Sequence, residues 1–400
     1  MAKTFVVVGA SAASIAFISK LRSFDKQSRI ICFSAEEELP YNRCYLIDVL
    51  EGTKTCDEIV LKPASFFQEE SVELHLGVRV EKIVPEQQCV IVGEEMVHYD
   101  VLFVGVGARP YLPLLPGIYD YSNIFTFYSL SDVKTLLHVL QGNSAPHCLV
   151  IGGGINGLEC ASALASKGAK VTIVERQDRL MPAQVDISTS KWIKSRAEAQ
   201  GVEVITGAHV VNMLPDDTEQ YVETVQLSTN QTLRVDLIVC TTGVRLNSEL
   251  LHNAGIHMVQ GSVIVNEHLQ TNIANIYAGG DICTTADIIT KTMIRSSSWS
   301  DAMLQGLCAA TQFSGEPRIY QGAINARGSR FFGMPYYGYG ATLGTKIDEV
   351  IQYDGSDFLH RFYVRNGTLA GFVLIGNTDR MAAYKQHYLQ QNAVCKPFIL

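Results

Sequence analysis

Cys148-Leu149-Val150-Ile151-Gly152-Gly153-Gly154-Ile155-Asn156-Gly157-Leu158-Glu159 is the stretch whose reading decides the fold. Leu149, Val150 and Ile151 read as a strand buried on both faces, as in a parallel sheet. Gly152, Gly154 and Gly157 then fit G-x-G-x-x-G. Leu158 to Lys167 is rich in Ala and Leu, as a crossover helix should be, and Gly168 stops it. Lys170 to Val174 is the next strand, and it ends in Glu175. The glycines permit a tight turn, close approach of the backbone to a pyrophosphate, and close helix-on-strand contact. Ile155 and Asn156 lie at the helix N-terminus, which offers free N–H groups to phosphates, and Glu175 can accept from a ribose 2′-hydroxyl. The alternative is a βαβ unit with a Gly-rich turn and no ligand. Strand, motif, helix, strand and acid nevertheless stand in the order that the dinucleotide reading requires.

Composition sets the outer limits. Four hundred residues exceed one ordinary core and imply two or three domains. At 47% hydrophobic and 18% charged the chain is globular, and its net charge of −8 argues against nucleic acid or an anionic membrane as partner. No apolar run reaches the length of a membrane span and the chain opens on a strand, so the expectation is a cytoplasmic protein. Ten cysteines are scattered without a C-x-x-C pair, which points to reduced, mostly buried thiols rather than disulfides or a zinc site.

Outward from the central motif, the chain begins with a β-branched strand, Thr4 to Val8. Gly9-Ala10-Ser11-Ala12-Ala13-Ser14 follows where a dinucleotide turn would stand. Only its first glycine survives; Ser11 and Ser14 stay small but add a Cβ, and a plain strand–helix turn is the alternative reading. A helix to about Arg22 and a strand from Arg29 to Phe33 come next. Glu36 then either reaches a ribose or belongs to a solvated acidic turn with Glu37 and Glu38. A helical Tyr45 to Leu50 and strands at Val72 to Leu76 and Val78 to Ile83 lead to the buried strand Tyr99 to Val104. That strand runs into Gly105-Val106-Gly107-Ala108-Arg109. In the second half a helix spans Ile187 to Ala199, with strands at Val202 to Ile205, Thr224 to Leu227 and Leu233 to Thr241. Gly243-Val244-Arg245 repeats the turn at Gly107, so the chain holds two similar units. Ile276 to Ala278 delivers Asp281 past two glycines, either to bring a carboxylate against a ligand hydroxyl or as a turn ending in a capping Asp. An amphipathic helix spans Trp299 to Phe313. Asn366-Gly367 joins Phe358–Val364 to Leu369–Ile375 as a hairpin, and a helix from about Arg380 to Gln391 follows.

These motifs together resemble the pyridine nucleotide–disulfide oxidoreductases, flavoproteins with two dinucleotide-binding domains. The short C-terminal region is similar to nitrite-reductase-like and NADH:rubredoxin-reductase-like members, as are Trp299…Ala302…Gln305-Gly306…Ala309-Ala310 and Phe331-Phe332-Gly333. The resemblance implies an α/β fold of two Rossmann-like three-layer domains plus a small α+β C-terminal domain. It places an FAD domain at 1–113 and 241–318, an NAD(P)H domain at 114–240 and an interface domain at 319–400. FAD would be held by Gly9, Ser11, Ala12, Glu36, Arg43, Val80, Gly107, Ala108 and Asp281, with Asp281 on the ribityl chain and Arg43 on a phosphate. NAD(P)H would be held by Gly152, Gly154, Ile155, Asn156, Gly157, Glu159, Glu175 and Gly243, and Glu175 favours NADH.

The implied activity is hydride transfer from NADH to FAD and passage of electrons to an acceptor. Relatives with Pro-Tyr-x-Arg usually continue Pro-Pro-Leu-Ser-Lys; here Cys44, Tyr45, Leu46, Ile47 and Asp48 stand instead, and the lysine is lost. Cys44 occupies the place of the single redox cysteine of NADH peroxidase, NADH oxidase and coenzyme A disulfide reductase members, although Tyr45 replaces their following glycine. Cys44 is then either a redox thiol or a packed side chain. Two acceptor classes stand open, a small rubredoxin- or ferredoxin-like protein and a small disulfide, peroxide or oxygen molecule reached through Cys44. Whether the C-terminal hairpin serves dimerisation or partner docking stands open. The alternative outside enzymology is a flavin or nucleotide sensor without turnover.

Overall fold

A computed structural model describes residues 2–142, 145–295, 297–344 and 347–394. In chain order, the elements that build the sites are β1 (Thr4–Val8), α1 (Ala12–Arg22), β2 (Arg29–Phe33), α2 (Leu46–Glu51), β3 (Val101–Val104), β4 (His147–Ile151), α3 (Ile155–Ser166), β5 (Lys170–Glu175), β6 (Leu237–Cys240), β7 (Ile276–Ala278), α4 (Trp299–Thr311) and β8 (Ala326–Phe331). They fall into two compact units. The first comprises Met1–Arg43, Cys56–Arg109 and Arg245–Asn325, and the second Cys44–Thr55, Pro110–Val244 and Ala326–Leu400.

The first unit is built on a parallel sheet in the order β7, β3, β1, β2, Val72–His75. β1 lies at its centre, so both its faces are covered and Phe5, Val6 and Val7 are buried, which is why the strand reads as a continuous apolar run. Phe17 of α1 stacks on Phe103 of β3 with ring centroids 4.5 Å apart. α1 and α4 pack so closely that a Cβ at Gly306 would fall 1.9 Å from the Ala13 carbonyl oxygen. Glycine is the residue that allows this crossing.

The second unit repeats the plan. Its parallel sheet runs Glu203–Thr206, β5, β4, β6, Ile124–Thr126. In both units the strand before the glycine turn is central, the strand after the helix lies on one side, and the strand ending in a Gly turn lies on the other. The second unit also holds an antiparallel sheet in the order β8, Met334–Gly340, Thr368–Ile375, Leu359–Arg365, Glu349–Asp354. Tyr384, from the helix Met381–Gln390, packs edge-on against Phe362 of this sheet, 4.8 Å between centroids. The chain is therefore α/β, with an antiparallel sheet and helix toward its C-terminus. No helix among the described residues is long and apolar enough to cross a membrane.

Three differences from the sequence reading each trace to a contact made only in the fold. Val78 to Ile83 is not one strand, because the Val78 N–H is taken by the Ser34 carbonyl at 2.7 Å and pairing resumes only over Lys82–Val84. Leu233 to Thr241 breaks at Asp236, whose carboxylate turns aside to accept from the His147 N–H at 2.7 Å; Thr232–Arg234 and β6 are separate strands. Cys44–Thr55 groups with the second unit, although 1–113 reads as one segment from the sequence. Arg330 of β8 grips Asp48 and Glu51 of α2, and α2 packs on α3. The Asn366-Gly367 turn forms as expected, with φ of 50° and 71°.

Candidate dinucleotide sites

In the second unit, β4 turns into α3 through Gly152, at φ 111°. A Cβ on Gly157 would lie 1.9 Å from the Gly152 carbonyl oxygen and 2.9 Å from Thr241 Oγ1, so the third motif position must be glycine for the helix to start here. Gly154 differs: a Cβ there would meet nothing within 4 Å. Its missing side chain serves no packing within the protein and keeps space open before the turn, as an approaching pyrophosphate requires. α3 has no side-chain cap, so the N–H groups of its first turn, with Ile155, Asn156 and Gly157, are available to phosphate oxygens. Glu175 is buried at the end of β5. One of its carboxylate oxygens accepts from the Gly153 N–H and the other from the Gln177 N–H, each at 2.7 Å. The acid thus closes the glycine turn itself, and a ribose hydroxyl would share oxygens already held in place. Gly243, at φ 110°, accepts from the Tyr111 N–H at 3.0 Å.

Glu159 lies two residues past the last motif glycine. It is half-buried on α3 and accepts from the Ser329 hydroxyl of β8 at 2.7 Å. Burial pushes its carboxyl up to about 7, with Asp48 adding to the rise and Ser329 and Arg330 opposing it.

In the first unit the corresponding turn solves the same steric problem with other residues. Gly9 has φ 93°, and a Cβ on it would fall 2.4 Å from the Gly105 carbonyl oxygen. The third position is Ser14, whose buried hydroxyl makes no hydrogen bond among the described residues. It fits because the strand end opposite is Gly105, where a Cβ would stand 2.4 Å from Ser14 Oγ. The second unit has the reverse pair, Gly157 on the helix and Thr241 on the strand. The lost glycine of the first motif is compensated, so the close strand–helix contact survives. Ser11 precedes α1 at φ −110°, which any residue adopts, and makes no cap bond, leaving the first-turn N–H groups that include Ala12 available. Both turns therefore fit a dinucleotide.

Other expected residues gather in part. The Tyr41 hydroxyl donates to one Glu36 oxygen at 2.7 Å and Arg43 pairs with the other; the Arg43 guanidinium also lies 5.1 Å from the Tyr41 ring centroid. Glu36 and Arg43, read separately for ribose and phosphate, so form one cluster. Val80 and Ala108 are buried in the same core, and Gly107, at φ 57°, accepts from the Asn247 N–H at 3.1 Å. Arg109 donates to Glu249 at 2.7 Å and holds that carboxyl down at about 2.

Asp281 follows Gly280, at φ 84°, and the support of this turn escaped the sequence reading. The Gly280 N–H donates to Oε1 of fully buried Gln305 at 2.7 Å. Gln305 Nε2 donates to Asp301 at 3.0 Å, and the Tyr320 hydroxyl donates to the other Asp301 oxygen. The available signal was the spacing of Asp301, Gln305 and Ala309 on the core-facing side of α4, with two polar residues where apolar ones are usual.

Cys44 is exposed, in a 3-10 turn over Arg43–Tyr45 just before α2. Cys32, Cys89, Cys148, Cys160, Cys240, Cys283 and Cys308 are buried, and Cys395 lies outside the described residues. The Lys54 ammonium lies 4.9 Å from the centroid of Tyr45, the residue after Cys44.

Comparison with known proteins agrees with this architecture. The chain is 27% identical over 344 residues to a protein named NADH oxidase from Methanocaldococcus jannaschii, covering 84% of this chain and 76% of the relative. It is 28% identical over 320 residues to the ferredoxin–NAD(+) reductase component of the 3-phenylpropionate/cinnamic acid dioxygenase of Photorhabdus laumondii, with 78% of each covered. Among solved structures, the covalent putidaredoxin reductase–putidaredoxin complex superposes with a TM-score of 0.91 at 23% identity, covering 98% of this chain and 94% of that one. The profile of the pyridine nucleotide-disulphide oxidoreductases matches residues 3–306. The compensated first turn, the open second turn and this match over most of the chain lead to one conclusion: the protein belongs to the pyridine nucleotide-disulphide oxidoreductase family.

Proposed function

We propose that the protein is an FAD-dependent oxidoreductase that takes hydride from NADH and passes the electrons to an acceptor. The observation that carries this reading is the presence of two glycine turns in one chain, each at the uncapped start of a helix on its own parallel sheet. The chemistry supplied by bound FAD is acceptance of hydride and release of electrons; the protein contributes binding, orientation and electrostatics. In the first unit, Gly9, Ser11 and Ala12 would approach the FAD pyrophosphate, the Glu36–Arg43 cluster its ribose and phosphate, and Asp281 its ribityl hydroxyls. Gln305 is the positioning residue for that last contact. In the second unit, Gly152, Gly154 and Gly157 would receive the NADH pyrophosphate. Glu175 disfavours a 2′-phosphate by repulsion and so favours NADH.

Two acceptors are supported by different observations. Exposure of Cys44 favours a disulfide or peroxide reached through its thiol. Similarity to a ferredoxin–NAD(+) reductase component favours a small electron-transfer protein. Residues 319–400 would form an interface, with that partner or with a second copy in a homodimer. A cytoplasmic location is supported by ten cysteines scattered without a C-x-x-C pair.

Anaerobic titration of the FAD-loaded protein with NADH, and separately with NADPH, tests the reading. NADH should bleach the flavin band stoichiometrically and at lower concentration than NADPH. No bleaching with either nucleotide would overturn the enzyme reading in favour of a sensor without turnover; equal response to both would remove the role of Glu175.

A further inference from the structure

Gln305 is fully buried on α4 and closely confined. The next residue, Gly306, lies against α1, where a Cβ would fall 1.9 Å from the Ala13 carbonyl oxygen. On the side of the turn, a Cβ on Gly279 would stand 3.5 Å from Gln305 Cβ and 3.0 Å from Phe103 Cζ. Packing therefore fixes where the amide sits and leaves undecided which of its two ends faces the turn. The oxygen and the NH2 are nearly the same size, so only their hydrogen-bond partners choose between them.

The choice is made by a line of groups that all donate in one sense. The Tyr320 hydroxyl donates to one Asp301 oxygen, Gln305 Nε2 donates to the other at 3.0 Å, and the Gly280 N–H donates to Gln305 Oε1 at 2.7 Å. Turning the amide over would set an NH2 against the Gly280 N–H and an oxygen against the carboxylate, in a place shut off from water. Both ends of the line are anchored. The Asp301 N–H donates to Oγ of Ser298, the N-cap of α4, at 3.3 Å. Tyr320 is buried, and its N–H donates to the Glu267 carbonyl at 2.8 Å. Around the turn itself, the Gly279 N–H goes to the Val104 carbonyl at 3.2 Å and the Cys283 N–H to the Gly280 carbonyl at 3.0 Å. Backbone holds the two flanks, while the N–H of Gly280, the residue before Asp281, hangs on the Gln305 amide. We propose that Tyr320 and Asp301 are positioning residues for the flavin: they orient the Gln305 amide so that the Gly280 turn presents Asp281 to the ribityl hydroxyls of FAD. This rests on the reading of Asp281 as the ribityl contact.

The test exchanges the charge between the two α4 side chains and measures the FAD dissociation constant of the loaded full chain from the free flavin recovered by ultrafiltration. Gln305→Glu sets a second carboxyl against Asp301 across the 3.0 Å now spanned by a donor and an acceptor. Asp301→Asn turns an NH2 toward either Gln305 Nε2 or the Tyr320 hydroxyl. Each single variant should weaken FAD binding ~10-fold or more, as expected for a buried hydrogen bond to a charged group left unmade. In the double variant Asp301→Asn/Gln305→Glu the new carboxylate accepts from the Gly280 N–H and from the new amide, whose oxygen accepts from the Tyr320 hydroxyl. Every donor again meets an acceptor, and binding should return to within ~3-fold of wild type. Tyr320→Phe removes one hydroxyl, keeps the ring and should weaken FAD binding ~3–10-fold. Wild-type affinity in Tyr320→Phe, or a double variant no better than the weaker single variant, would overturn the proposal. The Asp281 contact would survive that result provided that Asp281→Ala releases FAD. Retention of FAD by Asp281→Ala would overturn the reading of the turn, and this inference with it.

Discussion

Burial pushes the thiols of Cys32, Cys148 and Cys240 up to about 12, so at neutral pH they stay protonated and unreactive. Cys44 is exposed and fills no core slot. Cys44→Ser should keep FAD and keep NADH-driven flavin reduction, yet lose at least ~10-fold in turnover with peroxide or a small disulfide, where the thiolate is the nucleophile. Turnover with an artificial dye should not change. Equal use of every acceptor by wild type and variant removes the thiol from the electron path and leaves the electron-transfer protein as acceptor.

Glu159 carries the pH dependence. Burial pushes its carboxyl from the ordinary 4.5 up to about 7 in the folded chain. A carboxyl raised on folding holds its proton better in the native state, so its contribution to stability falls as pH rises from 4.5 to 7 and stays lost above. The ceiling is ~3 kcal/mol, reduced by the solvent that reaches a half-buried group. Glu159→Gln should therefore gain in melting temperature relative to wild type between pH 5 and pH 8, by about 2 °C or more at the upper end. Thermal unfolding of both proteins across that range checks it; a constant difference, or one that shrinks as pH rises, rejects the assignment.

At the scale of elements, the strand–turn–helix unit occurs twice with its bulk exchanged, Ser14 facing Gly105 in one turn and Gly157 facing Thr241 in the other. Gly105 has no positive φ, so Gly105→Ala acts only through the clash of the new Cβ with Ser14 Oγ. It should cost ~1–3 kcal/mol, the usual range for overpacking. Adding Ser14→Gly should restore most of the loss, less the ~0.5–1 kcal/mol that glycine costs in a helix. Urea midpoints of the two single variants and the double variant decide this. If Gly105→Ala is as stable as wild type, the two residues do not set the turn.

At the scale of the molecule, the two sites belong to separate units, each with its own sheet and core. Asp281→Ala should remove the side chain expected on the ribityl hydroxyls and give largely flavin-free protein. The second unit should still bind ADP-ribose. Visible absorbance after gel filtration and calorimetry with ADP-ribose report the two separately. Stoichiometric FAD in the variant refutes the role of Asp281, and joint loss of both ligands refutes the independence of the sites.

The amino-acid sequence by itself determined the parts whose cause is local. Continuous apolar runs specify strands covered on both faces, as in β1 and β4. Gly152 and the Asn366-Gly367 pair meet a need for positive φ that few residues satisfy, and Gly168 ends a helix for the same reason. These signals lie within a few residues of one another and survive in any context. The tertiary structure alone decided which polar groups meet. Ser329 reaches Glu159 across 170 positions and Arg330 reaches Glu51 across 279. Gln305 supports a turn 25 residues before it, and Ser14 is tolerated only because Gly105 faces it. A carboxylate, an amide or a hydroxyl has no periodicity that names its partner; burial forces it to find one, and only the packing of distant elements determines which.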